Sequence, residues 1–181
     1  MKTENLENYL NLFANNVVKD SEKLLYSEKG NTALGKSIKA TVSEDVNGFS
    51  VKFYMADYGT FLDKGVSGTK TKRSFTNYKG IKESSPYSYT TKGPPIDILS
   101  KWIKKKGIKP KGLGRGRSKN TGQFVSGLAY LISKKIKREG IKSISFFSKP
   151  LSLWYDKLQD DFLKVFKEDV SAYITTFTKH K

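Results

Sequence analysis

Leu6, Tyr9, Leu10, Phe13, Val17, Leu24 and Leu25 recur at three- and four-residue steps, with Lys, Glu, Asp and Asn between them. That spacing predicts an amphipathic helix over 4–27, stopped by Gly30-Asn31. The period then changes to two. Ile38, Ala40 and Val42 alternate with polar residues, as do Phe49, Val51, Phe53 and Met55. Asn47-Gly48 lies between the two runs. Both positions tolerate positive φ, so the pair predicts a hairpin with one face packed on a helix. Residues 67–93 have neither period and carry Gly, Ser, Thr, Lys and four aromatics, Phe75, Tyr78, Tyr87 and Tyr89. They are expected to form a long loop or extended arm.

Helical spacing returns after Gly93-Pro94-Pro95. Proline is tolerated in a first helical turn, where its missing N–H would have no partner. Ile96, Leu99, Trp102 and Ile103 form the apolar stripe, and Gly107 ends the helix. KPKGLGRGRSKNTG at 109–122 is expected to be a second flexible, basic loop. Phe124, Leu128, Leu131, Ile132 and Ile136 predict a helix over 123–139 with Gly140 as its C-terminal cap. The patch ISFF follows. From Pro150 a last stripe runs through Leu151, Trp154, Tyr155, Leu158, Phe162, Val165, Phe166, Val170, Tyr173, Ile174 and Phe177. That is about seven turns, longer than most globular helices. The expected class is α+β: a small, mostly antiparallel sheet packed by about four helices, with two long basic loops and a long C-terminal helix.

Composition narrows the chemistry. The 181 residues suffice for one domain with a core, and 36% apolar and 13% aromatic content suffices to fold it. There is no cysteine, which excludes disulfides, iron–sulfur clusters, thiolate zinc and cysteine nucleophiles. The only histidine is His180, beside the C-terminus and expected to be a solvated bystander. Ser–His and Cys–His catalysis therefore has no internal base. The carboxylate pairs Glu44-Asp45, Asp160-Asp161 and Glu168-Asp169 fall in a turn or on polar helix faces. A carboxylate–metal nuclease needs acids converging on one pocket. GLGRGRS at 112–118 lacks the GxxxxGK[ST] spacing of a phosphate loop, and no clear strand precedes it. No catalytic residue, metal or cofactor is assigned. The N-terminus shows no signal-peptide core, and no stretch approaches the roughly 20 apolar residues of a membrane span. A soluble protein, or a part of a soluble assembly, is expected.

Charge is unevenly spread. The net formal charge is +17. From Lys70 to Lys142 there are 20 Lys/Arg against 3 acids, and the remainder has 14 of each. A block of one sign repels itself and favours a counter-charged partner.

The order of these motifs resembles the head–tail joining and tail-completion (neck) proteins of tailed bacteriophages. It runs from the first helix and hairpin into Tyr58-Gly59-Thr60-Phe61-Leu62-Asp63-Lys64-Gly65. Gly93-Pro94-Pro95 with Trp102-Ile103 comes next, then Glu139-Gly140-Ile141 and Phe146-Phe147. The resemblance covers roughly residues 1–147, including an arm at 66–93 and a basic loop at 108–122. The amphipathic helix of 148–181 departs from it. In this reading Tyr58, Phe61 and Leu62 plug a strand end into the core. Gly59 and Gly65 allow a sharp reversal that launches 66–93 outward, and Pro94, Pro95, Trp102 and Ile103 build a core helix. The resemblance implies a non-enzymatic virion protein, forming a ring of identical subunits around the DNA channel between portal and tail proteins. Lys70, Lys72, Arg73, Lys79, Arg115, Arg117 and Lys119 would meet either acidic protein or genomic DNA without sequence preference. Trp154, Tyr155, Phe162 and Phe166 would pack subunits together. The alternative from another class is a free, sequence-independent nucleic-acid-binding protein, stacking bases on the aromatics of 75–89.

Overall fold

A computed structural model describes residues 4–46, 48–108, 115–117 and 124–179; the side chains of 115–117, 124–126, 173 and 176–179 are outside the description. The elements in order are α1 (Glu4–Lys29), β1 (Lys39–Asp45), β2 (Gly48–Tyr54), α2 (Gly59–Lys64), β3 (Ser74–Thr76), β4 (Lys82–Ser84), α3 (Ile96–Lys105), β5 (Arg115–Arg117), β6 (Phe124–Ser126), α4 (Gly127–Glu139) and α5 (Ser148–Lys179). The fold is α+β. The described strands form three separate two-stranded pairs rather than one sheet. The chain divides into two compact units. The first comprises 1–63, 76–83 and 144–181; the second comprises 64–75 and 84–143.

The first unit is built on α1. Its 3.6-residue stripe buries Leu6, Leu10, Phe13, Ala14, Val17, Ser21 and Leu25. The β1–β2 hairpin packs against this helix. Its register pairs Ala40 with Phe53 and Val42 with Val51, which gathers the alternating apolar residues on one face. Phe53 stands edge-on to both Phe13 and Phe147, with ring centroids 6.3 and 5.3 Å apart. Leu25, Leu34, Ile38 and Phe146 form the buried core, lined by Met55, Leu62 and Phe147.

The long helix α5 packs along α1. The pair is antiparallel. Trp154 Nε1 donates to Asp20 at 2.7 Å, and Tyr9 Oη donates to the Lys157 carbonyl at 3.3 Å. Farther along, the buried Asp169 accepts from the backbone N–H groups of Asn5 and Leu6, at 3.2 and 2.9 Å. A carboxylate on α5 thus serves the free donors at the start of α1, where the helix dipole also favours negative charge. Asp63 does the same for α5. Its Oδ1 accepts from the backbone N–H groups of Phe147 and Ser148 at 2.8 and 3.0 Å, and the Ser148 hydroxyl donates to Oδ2.

The 57–68 stretch therefore differs from expectation. Its Gly59–Lys64 portion forms the short helix α2, whose buried residues are Gly59 and Asp63. Tyr58 and Phe61 are 47% and 40% exposed and do not plug the core; Leu62 does line it. Gly59 is closely packed and makes no reversal: a Cβ there would lie 2.7 Å from Met55 Sδ, which would have to shift. Gly65, at φ +71°, does make the left-handed turn.

Nor does 66–93 project as an arm. Val66, Ser67, Phe75 and Asn77 are buried. Its Thr76–Glu83 portion belongs to the first unit, where the Asn77 side-chain oxygen accepts from the N–H groups of Lys79 and Ile81, both at 2.9 Å. The rest is woven into the second unit. Val66 and Ile141 exchange backbone hydrogen bonds at 2.9 and 2.7 Å, and Ser67 bridges to Ser88. This close threading explains Gly140. At φ +74° it favours glycine, and an added Cβ would fall 2.0 Å from the Val66 carbonyl oxygen. Hydrogen bonds to a neighbouring backbone give a segment order without any side-chain period, which is why periodicity missed it.

In the second unit α3 packs on α4. The α4 helix begins at Gly127 rather than 123, because Phe124–Ser126 pair antiparallel with Arg115–Arg117. Ile103, Ala129 and Ser133 are buried, and the Ser133 hydroxyl donates to the Pro94 carbonyl at 2.7 Å. Trp102, expected in the core, is 45% exposed; Pro95 is exposed and Pro94 half-buried.

Two stability outcomes follow from the capping and threading. Asp63→Ala leaves the buried Ser148 N–H and the half-buried Phe147 N–H without this acceptor and is expected to cost about 2–3 kcal/mol in urea denaturation. Asp63→Asn, which keeps an acceptor, should cost less; equal losses would refute the capping role. Gly140→Ala is expected to exceed about 3 kcal/mol, because strained φ and overlap with backbone add.

Candidate nucleic-acid interface

The charge excess lies entirely in the second unit. Residues 64–75 and 84–143 contain 19 Lys/Arg and 2 acids, a net of +17, which leaves 15 of each sign in the first unit. The two acids are Asp97, in the first turn of α3, and Glu139, whose Oε1 accepts from Arg138 at 2.9 Å.

Part of this charge is structural. Thr69 and Lys70 donate their backbone N–H groups to the Lys137 and Arg138 carbonyls, both at 2.9 Å. Arg73 Nε donates to the Glu139 carbonyl at 2.9 Å. Residues 69–73 thus close the C-terminal end of α4, and cations there also meet the negative end of the helix dipole. Lys137 Nζ donates to the Thr91 carbonyl at 2.7 Å. Lys64 lies over the Phe75 ring, 5.5 Å from its centroid.

The expected contact residues therefore separate. Lys70 and Lys72 are exposed. Arg73 is half-buried and engaged with α4, so it is a scaffold residue. Lys79 is exposed but sits in the neutral first unit, its Nζ 5.7 Å from the Tyr78 ring centroid. Arg115 and Arg117 lie on strand β5, and Lys119 lies outside the described residues.

The lysine run KWIKKKGIKPK at 101–111 reads in the sequence as either a nucleic-acid helix or a solvated, Lys-rich helix face; the outward side of α4 has no such signal of its own. On α3, Ile98 and Trp102 are exposed four residues apart, and Lys101 and Lys105 follow each by three. One turn of offset puts all four on the side away from buried Ile103. On α4, Tyr130 and Leu131 are exposed, with Lys134 Nζ 5.2 Å from the Tyr130 centroid; Lys135 and Arg138 continue that side. The usable signal was the adjacency of Lys101-Trp102 and Tyr130–Lys134. The place of Trp102 in the apolar stripe masks it.

Of the expected subunit-packing residues, Trp154 is bonded to Asp20, with Lys157 Nζ 4.2 Å from its ring centroid. Tyr155 meets Tyr78 edge-on at 5.7 Å. Both are committed inside the first unit. Phe162 and Phe166 are exposed and stacked on each other, 6.3 Å apart and 3° from parallel, beside Leu163 at 72% exposure.

Among the described residues no group of three or more His, Asp or Glu side chains is placed to hold a metal ion, and no helix is long and apolar enough to cross a membrane. No protein-family model, curated protein or solved structure matches this chain.

Glu139 supplies a pH test of the α4 terminus. Its carboxyl is held below the usual value of 4.5, first by the Arg138 hydrogen bond; burial opposes this, and the charges of Lys135, Arg138 and Arg73 add to the lowering. A lowered folded-state pKa stabilises the fold above the unfolded value, and the gain is lost as pH falls through the folded value. In an NMR titration Glu139 should titrate below 4.5, and Arg138→Ala should bring it back towards that value. An unmoved titration in the variant would contradict the assignment. Arg73→Ala should cost about 1–2 kcal/mol, while Lys70→Ala stays within about 0.5 kcal/mol.

Proposed function

We propose that the protein is a structural virion component of a tailed bacteriophage, a subunit of the head–tail connector (neck) ring through which the genome passes. The observation that carries the reading is the partition of charge. One unit holds the entire +17 excess, and the other is neutral overall. A ring around DNA needs one part of each subunit for polyanion or acidic neighbours and another for its copies. In the neutral unit, the Phe162–Phe166 stack with Leu163 is an exposed apolar strip of the kind subunits bury. The ordered set of motifs along 1–147 supports the same class. The protein then acts by binding and placement, without catalysis or cofactor, and its location is the virion after assembly in the host cytoplasm.

The second reading is a free, sequence-independent nucleic-acid-binding protein. Exposed aromatics among the lysines of the second unit favour it. Mass spectrometry of purified virions, with lysine cross-linking, separates the two. Stoichiometric presence, with Lys70, Lys72 or Lys101 cross-linked to portal or tail proteins, is expected. Detection only in infected-cell extract, and never in particles, would overturn the connector reading.

A further inference from the structure

The geometry points to a binding surface for single-stranded nucleic acid on the outward sides of α3 and α4, built from Trp102, Lys101, Lys105, Tyr130 and Lys134. It goes beyond the connector reading and stands independently of it.

Three observations carry the assignment. First, Trp102 is 45% exposed in a helix that had an apolar side available for it, where Ile103 is buried. An exposed indole leaves a large apolar face in water, a cost removed when a base stacks on it. Second, its neighbours at helical spacing are cations. Lys101 and Lys105 share its side, and Lys104 and Lys106 are also exposed. Tyr130 repeats the arrangement on α4, with Lys134 held over its ring at 5.2 Å. Alternation of aromatic faces with flexible ammonium groups matches a strand of bases alternating with phosphates. Third, the unit has only Asp97 and Glu139 to offset 19 cations. Glu139 is already engaged by Arg138. Charge complementarity therefore selects a polyanion over an apolar or mixed-charge partner. Duplex DNA offers phosphates but keeps its base faces stacked internally, so unpaired bases make the fuller use of Trp102 and Tyr130.

The test uses the full chain and a fluorescein-labelled oligothymidylate of about 20 nucleotides, with a duplex of equal length for comparison. Anisotropy should give tighter binding to the single strand. Affinity should fall with salt at a log–log slope of roughly −3 to −5, as several phosphate contacts imply. Binding should quench tryptophan emission in the parent and not in Trp102→Phe. Trp102→Ala should weaken binding roughly ten-fold or more. Lys101→Glu with Lys105→Glu should weaken it further and flatten the salt slope. Lys52→Glu with Lys167→Glu, exposed positions of the neutral unit, should change little. Trp102 and the two lysines are at the surface, so circular dichroism melts should match the parent. Equal affinity of Trp102→Ala and parent, or a preference for duplex with unchanged tryptophan emission, would overturn the stacking surface. So would failure to bind either nucleic acid while an acidic protein surface binds. None of these outcomes touches the connector reading, in which the cations also suit acidic protein; that reading fails only by absence from virions.

Discussion

Two buried carboxylates hold the first unit together. Asp169 on α5 receives the donors at the start of α1, and Asp63 receives those at the start of α5. A helix begins with four N–H groups that have no partner within it, and burial makes each one costly. Here the acceptors come from residues 163 and 85 positions away. Each cap therefore also fixes where a long helix starts relative to another element. With α5 antiparallel to α1, and with Phe147 just ahead of the capped turn, the edge-to-face Phe13–Phe53–Phe147 cluster has its geometry set. The hairpin packs onto this frame through its apolar face.

The second unit is ordered by a different means. Its connecting segments 64–75 and 84–95 lack apolar stripes, and backbone pairing compensates. The 65–70 stretch bonds to the end of α4 and to Ile141, and 85–89 bonds back to it. Gly65 and Gly140 are the points where this threading demands positive φ. A unit with so many cations meets self-repulsion within a screening length of about 8 Å at physiological salt. Extensive hydrogen bonding lets it remain compact, and a polyanionic partner would relieve the repulsion further.

The local patterns were legible in the sequence. The α1 stripe, the Asn-Gly hairpin, the Pro-Pro entry to α3 and the glycine at the end of α4 all act through neighbours within a few residues, which period and turn chemistry report directly. What was not legible acts at long range. Nothing near Asp63 says that its carboxylate serves Phe147 and Ser148. The same limit turned 66–93 into an expected arm, since strand-like bonding to a distant backbone leaves no alternation to read. Tyr58, Phe61 and Trp102 are expected inside; the structure leaves them at the surface, buries Gly59 and Asp63 in the α2 turn, and buries Ile103 as expected. On the basic side, counting located the charge correctly. It could not separate Arg73, which closes α4, from Lys70 and Lys72, which face water.

The central proposal is that the charged second unit recognises nucleic acid while the neutral first unit does not. The most direct measurement is residue-by-residue amide hydrogen exchange of the full chain, with and without a saturating single-stranded oligonucleotide. Slower exchange is expected over 96–105 and 127–139, with α1 and the β1–β2 hairpin unchanged. Slowing concentrated on α1, β1 and β2, or none on α3 and α4, would contradict nucleic-acid recognition by the charged unit.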